Sequence, residues 1–129
     1  MLKPEQSLGI RMSQLIITNI SKYQKERFIM KITKNTKGNT TILALEGRLD
    51  TVTSTQLANE LSGVFEGEAV NLIFDFAALE YISSAGLRVL LSAQKKVNAL
   101  GTEMKITGTN ETVKEIFDIT GFSGIMKVD

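Results

Sequence analysis

The spacing of hydrophobic positions from Met30 onwards predicts a hairpin first. The segment MKITKN, residues 30–35, alternates apolar and polar side chains, which is typical of a half-buried strand. KGNT follows, and its Gly38 and Asn39 tolerate the positive φ angles of a tight turn. TILALEG, residues 41–47, is therefore predicted to be the second strand of an antiparallel hairpin.

A helix is predicted next, because TSTQLANELSGVF changes to the spacing of an amphipathic helix. Leu57, Leu61 and Val64 fall on one helical face. Thr53 or Ser54 is the expected N-cap, since a side-chain hydroxyl accepts a bond from a free N–H of the first turn.

Two further segments have helical spacing, SAGLRVLLSAQKKVNAL and NETVKEIFDITG. Gly101 is expected to end the first of them, because glycine readily adopts the left-handed conformation found after helices. For the second, Asn110 is the expected N-cap and Gly121 the expected stop.

Strand-like runs lie between and after these helical segments. The densest, AVNLIFDF at residues 69–76, predicts a central strand buried on both faces, and EMKITG and GIMKV are shorter. The order is then β-β-α-β-α-β-α-β. It predicts an α/β fold with a mixed sheet that is mostly parallel, begins with an antiparallel hairpin and is covered by helices.

Residues 1–29 differ from the rest of the chain. They hold the only proline, Pro4, and a polar, mostly basic segment, SKYQKERF. Because Met30 stands where the first strand begins, we expect residues 1–29 to be an N-terminal extension, such as one from an upstream start codon. Residues 30–129 are then expected to form a single domain.

The composition excludes several kinds of chemistry. The chain has 129 residues, a net charge of +1, no histidine and no cysteine. Ser-His and Cys-His catalysis and the usual zinc sites are thereby excluded, and we expect no enzyme activity, resident metal or cofactor. The charge gives no global field that would attract nucleic acid directly.

Membrane insertion and secretion are not expected either. No apolar run reaches the ~18 residues of a membrane span. The N-terminal segment interrupts its apolar residues with polar ones and is followed by no small-residue cleavage site. The expected location is the cytoplasm.

Two loops after predicted strands hold the candidate functional residues. They are EGRLDTVTS, residues 46–54, and LEYISSAG, residues 79–86. Loops at the carboxyl ends of strands gather ligands and partners in α/β sheets. Ser83 and Ser84 precede a helix, where a serine can act as a cap or carry a phosphate that the helix dipole tolerates. The chemistry alone leaves both roles open.

Catalysis by these loops lacks the necessary groups. Neither Ser-x-x-Lys nor the Gly-x-Ser-x-Gly elbow surrounds Ser83 and Ser84. Asp50 is expected to be a solvated turn acid or a cap for the following helix, and Asp75 a strand-end acid. A magnesium pair would need both carboxylates to converge on one ion, which sequence spacing does not establish.

From about Met30 to Val128 the chain resembles the STAS domain, in particular the stand-alone bacterial anti-sigma factor antagonists. LALEGRLDTVTSTQL resembles the family's strand–Gly-x-Leu-Asp–helix segment. LIFDFAALEYISSAGLRVLL resembles its central strand and phosphorylation loop, and VKEIFDITGFSGIMKV its final helix and strand.

The resemblance implies a phosphorylation site. The family's phosphorylated serine lies two residues before the loop glycine, which is Gly86 here, so Ser84 is the implied acceptor. Ser83 is a second candidate, because many members have an aspartate at its position.

The resemblance also implies residues that contact the partner near this site. The family's loop acid falls on Asp50, and the acid that ends its central strand falls on Asp75. Gly86, Leu87 and Arg88 at the start of the following helix complete the implied surface.

The implied function is phosphorylation-controlled partner switching without enzyme activity. The unphosphorylated protein would bind an anti-sigma factor, typically a serine kinase of the GHKL ATPase type, and so free a sigma factor. Phosphorylation of Ser84 would break the complex, and a phosphatase would reset it; ATP and Mg²⁺ would belong to the kinase. The alternative is a constitutive STAS adapter of a larger assembly, such as a lipid-transport or signalling complex, in which Ser84 is only a helix cap.

Overall fold

Strands and helices alternate along residues 30–129, the part of the chain that the structure, a computed structural model, describes. The predicted extension, residues 1–29, lies outside the described residues. The elements are β1 (Lys31–Lys37), β2 (Thr40–Leu49), α1 (Thr53–Val64), β3 (Asn71–Ile82), α2 (Ser84–Leu100), β4 (Met104–Thr107), α3 (Glu111–Thr120), a 3-10 turn (Phe122–Gly124) and β5 (Lys127–Val128).

The strands form one five-stranded sheet in the order β1-β2-β3-β4-β5. β1 pairs with β2 antiparallel, and the remaining neighbours are parallel. Gly38 takes φ +60° in the hairpin turn, a conformation that glycine adopts at little cost. The predicted mixed α/β fold, with its order β-β-α-β-α-β-α-β, is confirmed.

The core lies on one face of the sheet. Leu43 of β2 and Phe74 and Phe76 of β3 are fully buried, and they join a single cluster that includes buried residues of all three helices described. The ring of Phe76 stacks on that of Phe117 in α3, with centroids 6.5 Å apart. Each parallel crossover moves to the next strand in the same direction, so right-handed connections place the helices on the same side.

The prediction that the central strand is buried on both faces is therefore wrong. Burial alternates along the first half of β3, and Ile73 and Asp75 remain partly exposed on the face away from the core. The apolar density of AVNLIFDF indicated a central strand correctly, since β3 lies between β2 and β4. It did not indicate how many faces are covered.

β3 also extends further than predicted. It continues through Leu79 to Ile82, residues that were predicted to be loop, because β2 runs to Leu49 and pairs with Ile82. The register shifts twice along this pair, so β3 contains extra residues opposite β2. Such bulges interrupt the alternation of a strand, which concealed its second half in the sequence.

The helix ends follow the sequence signals except at α1. Asn110 caps α3, and Gly101 and Gly121 end α2 and α3 with φ +75° and +81°. Thr53 and Ser54 are not the N-cap of α1; both lie buried inside the helix. No helix of residues 30–129 is long and apolar enough to cross a membrane.

Candidate functional site

The two loops singled out from the sequence meet at one edge of the sheet. Leu49, the last residue of β2, lies opposite Ile82, the last residue of β3. The N–H of Ser83 donates to the carbonyl oxygen of Leu49 at 2.8 Å, beyond the last paired residues. The start of α2 is thus held against the segment that leads into α1.

The two serines at this edge have different roles. Ser83 is the N-cap of α2, and its Oγ accepts a hydrogen bond from the N–H of Gly86 at 3.3 Å. Ser84 is the first helical residue and is exposed to solvent. Its hydroxyl makes no hydrogen bond to any residue from 30 to 129 that would hold it in place. Among residues 30–129, Ser83 therefore stabilises the fold, whereas the Ser84 hydroxyl is exposed and makes no hydrogen bond.

Gly86 packs directly on Leu49. A Cβ atom at position 86 would lie 2.6 Å from Cγ of Leu49 and 3.0 Å from its carbonyl oxygen. Such distances are shorter than van der Waals contact, so any side chain would push α2 away from β2. Gly86 consequently sets how closely the first turn of α2 approaches the other loop.

Asp50 holds the start of α1 through a reciprocal pair of hydrogen bonds with Thr53. The Asp50 carboxylate accepts from the N–H of Thr53 at 3.0 Å, and the Asp50 N–H donates to Thr53 Oγ1 at 2.9 Å. The reciprocal bonds have the geometry of a capping box, but α1 begins at Thr53 and its N-cap residue, Val52, makes no side-chain cap bond. The Asp50 carboxylate also accepts from the N–H of Val52 at 3.0 Å. Asp50 is thus an acid of the turn that leads into α1, where it binds the N–H groups just before and at the start of the helix.

Asp75 does not lie at this edge. It neither ends β3 nor follows it, since the strand continues for seven more residues. It pairs with Ala44, five residues before Leu49, and at ~3.3 Å per residue it lies roughly 16 Å from the end of β2. Its carboxylate accepts from the N–H of Ala77 at 3.0 Å. The predicted place of Asp75 beside Ser84 is therefore wrong.

The start of α2 exposes one of the two side chains predicted to contact a partner. Leu87 is 5% exposed and belongs to the core, so its side chain offers little surface to a partner and its predicted partner contact stays a prediction. Arg88 is exposed, one helical turn after Ser84. Residues four apart on a helix are neighbours on its surface, so the guanidinium and the Ser84 hydroxyl share one side of α2.

Three further residues at this edge were not predicted from the sequence. Val52 is 55% exposed between the end of β2 and α1, which is unusual for a large apolar side chain. The guanidinium carbon of Arg48 lies 4.5 Å from the centroid of the Tyr81 ring, a cation–π contact. A valine between two threonines in a loop was the one available signal for Val52. The Arg48–Tyr81 pairing depended on the strand register.

The arrangement fits partner binding controlled by modification. In the described part of the chain, no group of three or more histidine, cysteine, aspartate or glutamate side chains could hold a metal ion. An exposed hydroxyl at a helix N-terminus, in contrast, suits a phosphate, because the first N–H groups of a helix have no intrahelical partner and attract anions. The edge around Ser84 therefore offers a modifiable hydroxyl, an arginine and an exposed apolar side chain.

Comparison with known proteins shows a family and several similar proteins. The model of the STAS domain matches residues 31–129. BtrV of Bordetella bronchiseptica, assigned as an anti-sigma factor antagonist, is 32% identical over 99 residues, which cover 77% of this chain and 85% of BtrV.

Two solved structures have the same fold. The anti-sigma factor antagonist from Mycobacterium paratuberculosis superposes with a TM-score of 0.69 at 17% identity, covering 77% of this chain and 84% of that protein. The Bacillus cell fate determinant SpoIIAA, solved in its phosphorylated form, superposes with a TM-score of 0.62 at 20% identity, covering 77% of this chain and 91% of SpoIIAA.

Proposed function

The chain belongs to the STAS domain family, and we propose that it is an anti-sigma factor antagonist switched by phosphorylation of Ser84. In the unphosphorylated form it binds an anti-sigma factor and thereby frees a sigma factor. The assignment of BtrV as an anti-sigma factor antagonist, over most of both chains, supports this role. The protein acts in the cytoplasm and performs no catalysis itself.

The choice of Ser84 rests on one observation: Ser83 caps α2, whereas Ser84 is exposed and does not. Ser83 Oγ bonds to the N–H of Gly86, so a phosphate on Ser83 would remove the cap of α2. Ser84 is exposed at the next position, where a phosphate meets the positive end of the helix dipole without disturbing the cap. Modification of Ser84 therefore changes the surface while it leaves the fold intact.

The partner itself transfers the phosphate. The anti-sigma factor is a serine kinase of the GHKL type that binds ATP and Mg²⁺; the γ-phosphoryl group of ATP passes to the Ser84 oxygen and ADP leaves, and a separate phosphatase later removes the phosphate by hydrolysis. A phosphoserine carries about −1.5 to −2 charges near neutral pH, enough to alter a contact surface at which the serine lies. That SpoIIAA was solved in a phosphorylated form supports phosphorylation as the switch.

The constitutive adapter is the alternative, and it required Ser84 to be the cap of α2. The cap is Ser83, so a capping role does not explain why a serine stands at position 84. It predicts that partner binding is indifferent to a phosphate at Ser84.

Incubation with the cognate anti-sigma factor kinase and ATP, read by mass spectrometry, tests the proposal. We expect one phosphate on Ser84, the same in Ser83→Ala, and none in the matched variant Ser84→Ala. We also expect Ser84→Asp to bind the kinase measurably more weakly than Ser84→Ala does. No phosphate on Ser84, or equal binding of the kinase by both Ser84 variants, would count against the switch.

A further inference from the structure

An exposed stripe runs along α2 and begins at Ser84. Residues spaced four, four, three and four apart fall on one line of a helix. On α2 this line is formed by side chains that are all exposed: Ser84, Arg88, Ser92, Lys95 and Ala99. Lys96, also exposed, lies beside the stripe on the side of α1, because it lines the groove between the two helices.

This surface of α2 is cationic, and no acidic side chain of residues 30–129 forms an ion pair with it. The helix contains no aspartate or glutamate between Ser84 and Leu100. Within residues 30–129 the ion pairs involve other lysines, Lys105 and Lys127, on β4 and β5. Arg88, Lys95 and Lys96 thus present three unpaired positive charges to solvent, in a chain whose net charge is only +1.

An apolar groove of about 280 Å³ lies next to the stripe, between α1 and α2. Leu61 and Phe65 of α1 form one wall, and Val89 and Ala93 of α2 form the other. Lys96 lines the same groove, so an apolar pocket and a positive charge adjoin each other. A partner with one apolar side chain flanked by carboxylates would match both features.

We propose that the anti-sigma factor binds along α2 through an acidic surface, places an apolar side chain in the α1–α2 groove, and is repelled when Ser84 carries a phosphate. The inference rests on the proposed function and adds the chemistry of the partner surface. Unphosphorylated, the stripe attracts the partner's carboxylates. A phosphate at its first position offsets the positive charge of Arg88 and repels the partner's carboxylates.

The lengths involved show where the phosphate acts. At ~1.5 Å rise per residue, Arg88 lies about 6 Å along the helix from Ser84, and Lys95 lies about 16 Å away. Screening in physiological salt has a Debye length of ~8 Å. The phosphate therefore weakens the contact made by Arg88 directly, while the contacts of Lys95 and Lys96 lie beyond its reach.

The first arm of the test measures the affinity of the anti-sigma factor for full-length variants at two ionic strengths. Lys95→Gln/Lys96→Gln and Arg88→Gln should each weaken binding roughly two- to fivefold per charge removed, and the loss should shrink at high salt. The matched control Lys34→Gln/Lys37→Gln removes the same charge from exposed positions of β1 and should leave affinity unchanged. An affinity insensitive to the α2 variants and to salt overturns the inference.

The second arm tests the spatial argument by double-mutant cycles with Ser84→Asp. The effect of Arg88→Gln should depend on whether residue 84 carries a charge, whereas the effect of Lys95→Gln should be the same in both backgrounds. Additive behaviour at Arg88 contradicts the proposed repulsion.

The third arm tests the groove. Ala58, an exposed lining residue, changed to Gln narrows the groove without altering charge and should weaken binding. Asn59→Gln, exposed on the same helix but outside the groove, is its control. Equal affinity of both variants contradicts occupation of the groove.

Two outcomes separate this inference from the proposed function. If the anti-sigma factor forms no complex with the unmodified chain, both fail. If a complex forms and Ser84→Asp weakens it, yet the charge and groove variants bind normally, the switch stands and the acidic partner surface is wrong. Tight binding of a single-stranded oligonucleotide by the α2 cations would also overturn the inference, because the inference has these cations bind an acidic protein surface.

Discussion

Gly86 lies so close to Leu49 that a Cβ atom on the glycine would stand 2.6 Å from Cγ of the leucine. The contact joins the first turn of α2 to the end of β2. Together with the bond from the Ser83 N–H to the Leu49 carbonyl oxygen, at 2.8 Å, it fixes where Ser84 stands relative to the Asp50 loop.

We expect Gly86→Ala to lower the free energy of unfolding by about 1–3 kcal/mol, the usual cost of overpacking a close contact. Urea denaturation measures it. Gly63→Ala is the control, because no atom lies within 4 Å of its added Cβ and alanine is the better helix former, so stability should rise slightly. If both variants are equally stable, the Gly86–Leu49 contact does not constrain the site.

The two serines should separate stability from regulation. Ser83→Ala removes the hydrogen bond to the N–H of Gly86 and should lower the free energy of unfolding by about 0.5–2 kcal/mol. Ser84→Ala removes an exposed hydroxyl and should leave stability nearly unchanged while it abolishes phosphorylation. Thermal melts of both variants, beside the kinase assay, check this, and a larger loss of stability in Ser84→Ala would reverse the assignment of the cap.

The bounds of α2 and α3 were predictable because local chemistry determines them. Asn110 offers a cap oxygen, and Gly101 and Gly121 accept the left-handed conformation, irrespective of the rest of the fold. The end of β3 was not predictable, because its second half exists through pairing with β2 and contains bulges that break the alternation. The burial of β3 on only one face was not predictable either, because it depends on which side of the sheet the helices cover.

The candidate site was predictable to the level of loops but not of side chains. Both loops, residues 46–54 and 79–86, were found because each lies between a predicted strand and a predicted helix. Ser84 was identified from the resemblance to the STAS family. Which serine is the cap depends on the backbone of α2, since Ser83 and Ser84 both precede the helical pattern. The distance of Asp75 from the site depends on β3 continuing to Ile82, and so could not be read from spacing.

The reciprocal bonds between Asp50 and Thr53 lead to a third prediction. Thr53 Oγ1 accepts from the N–H of Asp50 at 2.9 Å and donates to the carbonyl oxygen of Arg48 at 2.6 Å, while the residue is 1% exposed. Thr53→Val keeps the shape of the side chain but leaves the Asp50 N–H and the Arg48 carbonyl oxygen without this hydrogen-bond partner. It should lower the free energy of unfolding by about 1–3 kcal/mol. Thr53→Ser keeps the hydroxyl and should cost clearly less. Denaturant titration compares them; equal losses would mean that the methyl contacts, and not the hydroxyl, stabilise this turn.

Asn110 joins α3 to β3 with the two ends of one amide, and its variants separate the two bonds. Its Oδ1 accepts from the N–H of Val113 at 2.8 Å, and its Nδ2 donates to the carbonyl oxygen of Leu79 at 3.1 Å. Asn110→Asp keeps the cap acceptor and loses the donor, whereas Asn110→Ala loses both. We therefore expect stability to fall from wild type to Asp to Ala, the first step costing about 1 kcal/mol and the second roughly 0.5–2 kcal/mol. Urea denaturation gives the order, and hydrogen exchange at the first turn of α3 shows whether the cap bond persists in Asn110→Asp. If Asn110→Asp proves as unstable as Asn110→Ala, the bond to Leu79 is the one that matters.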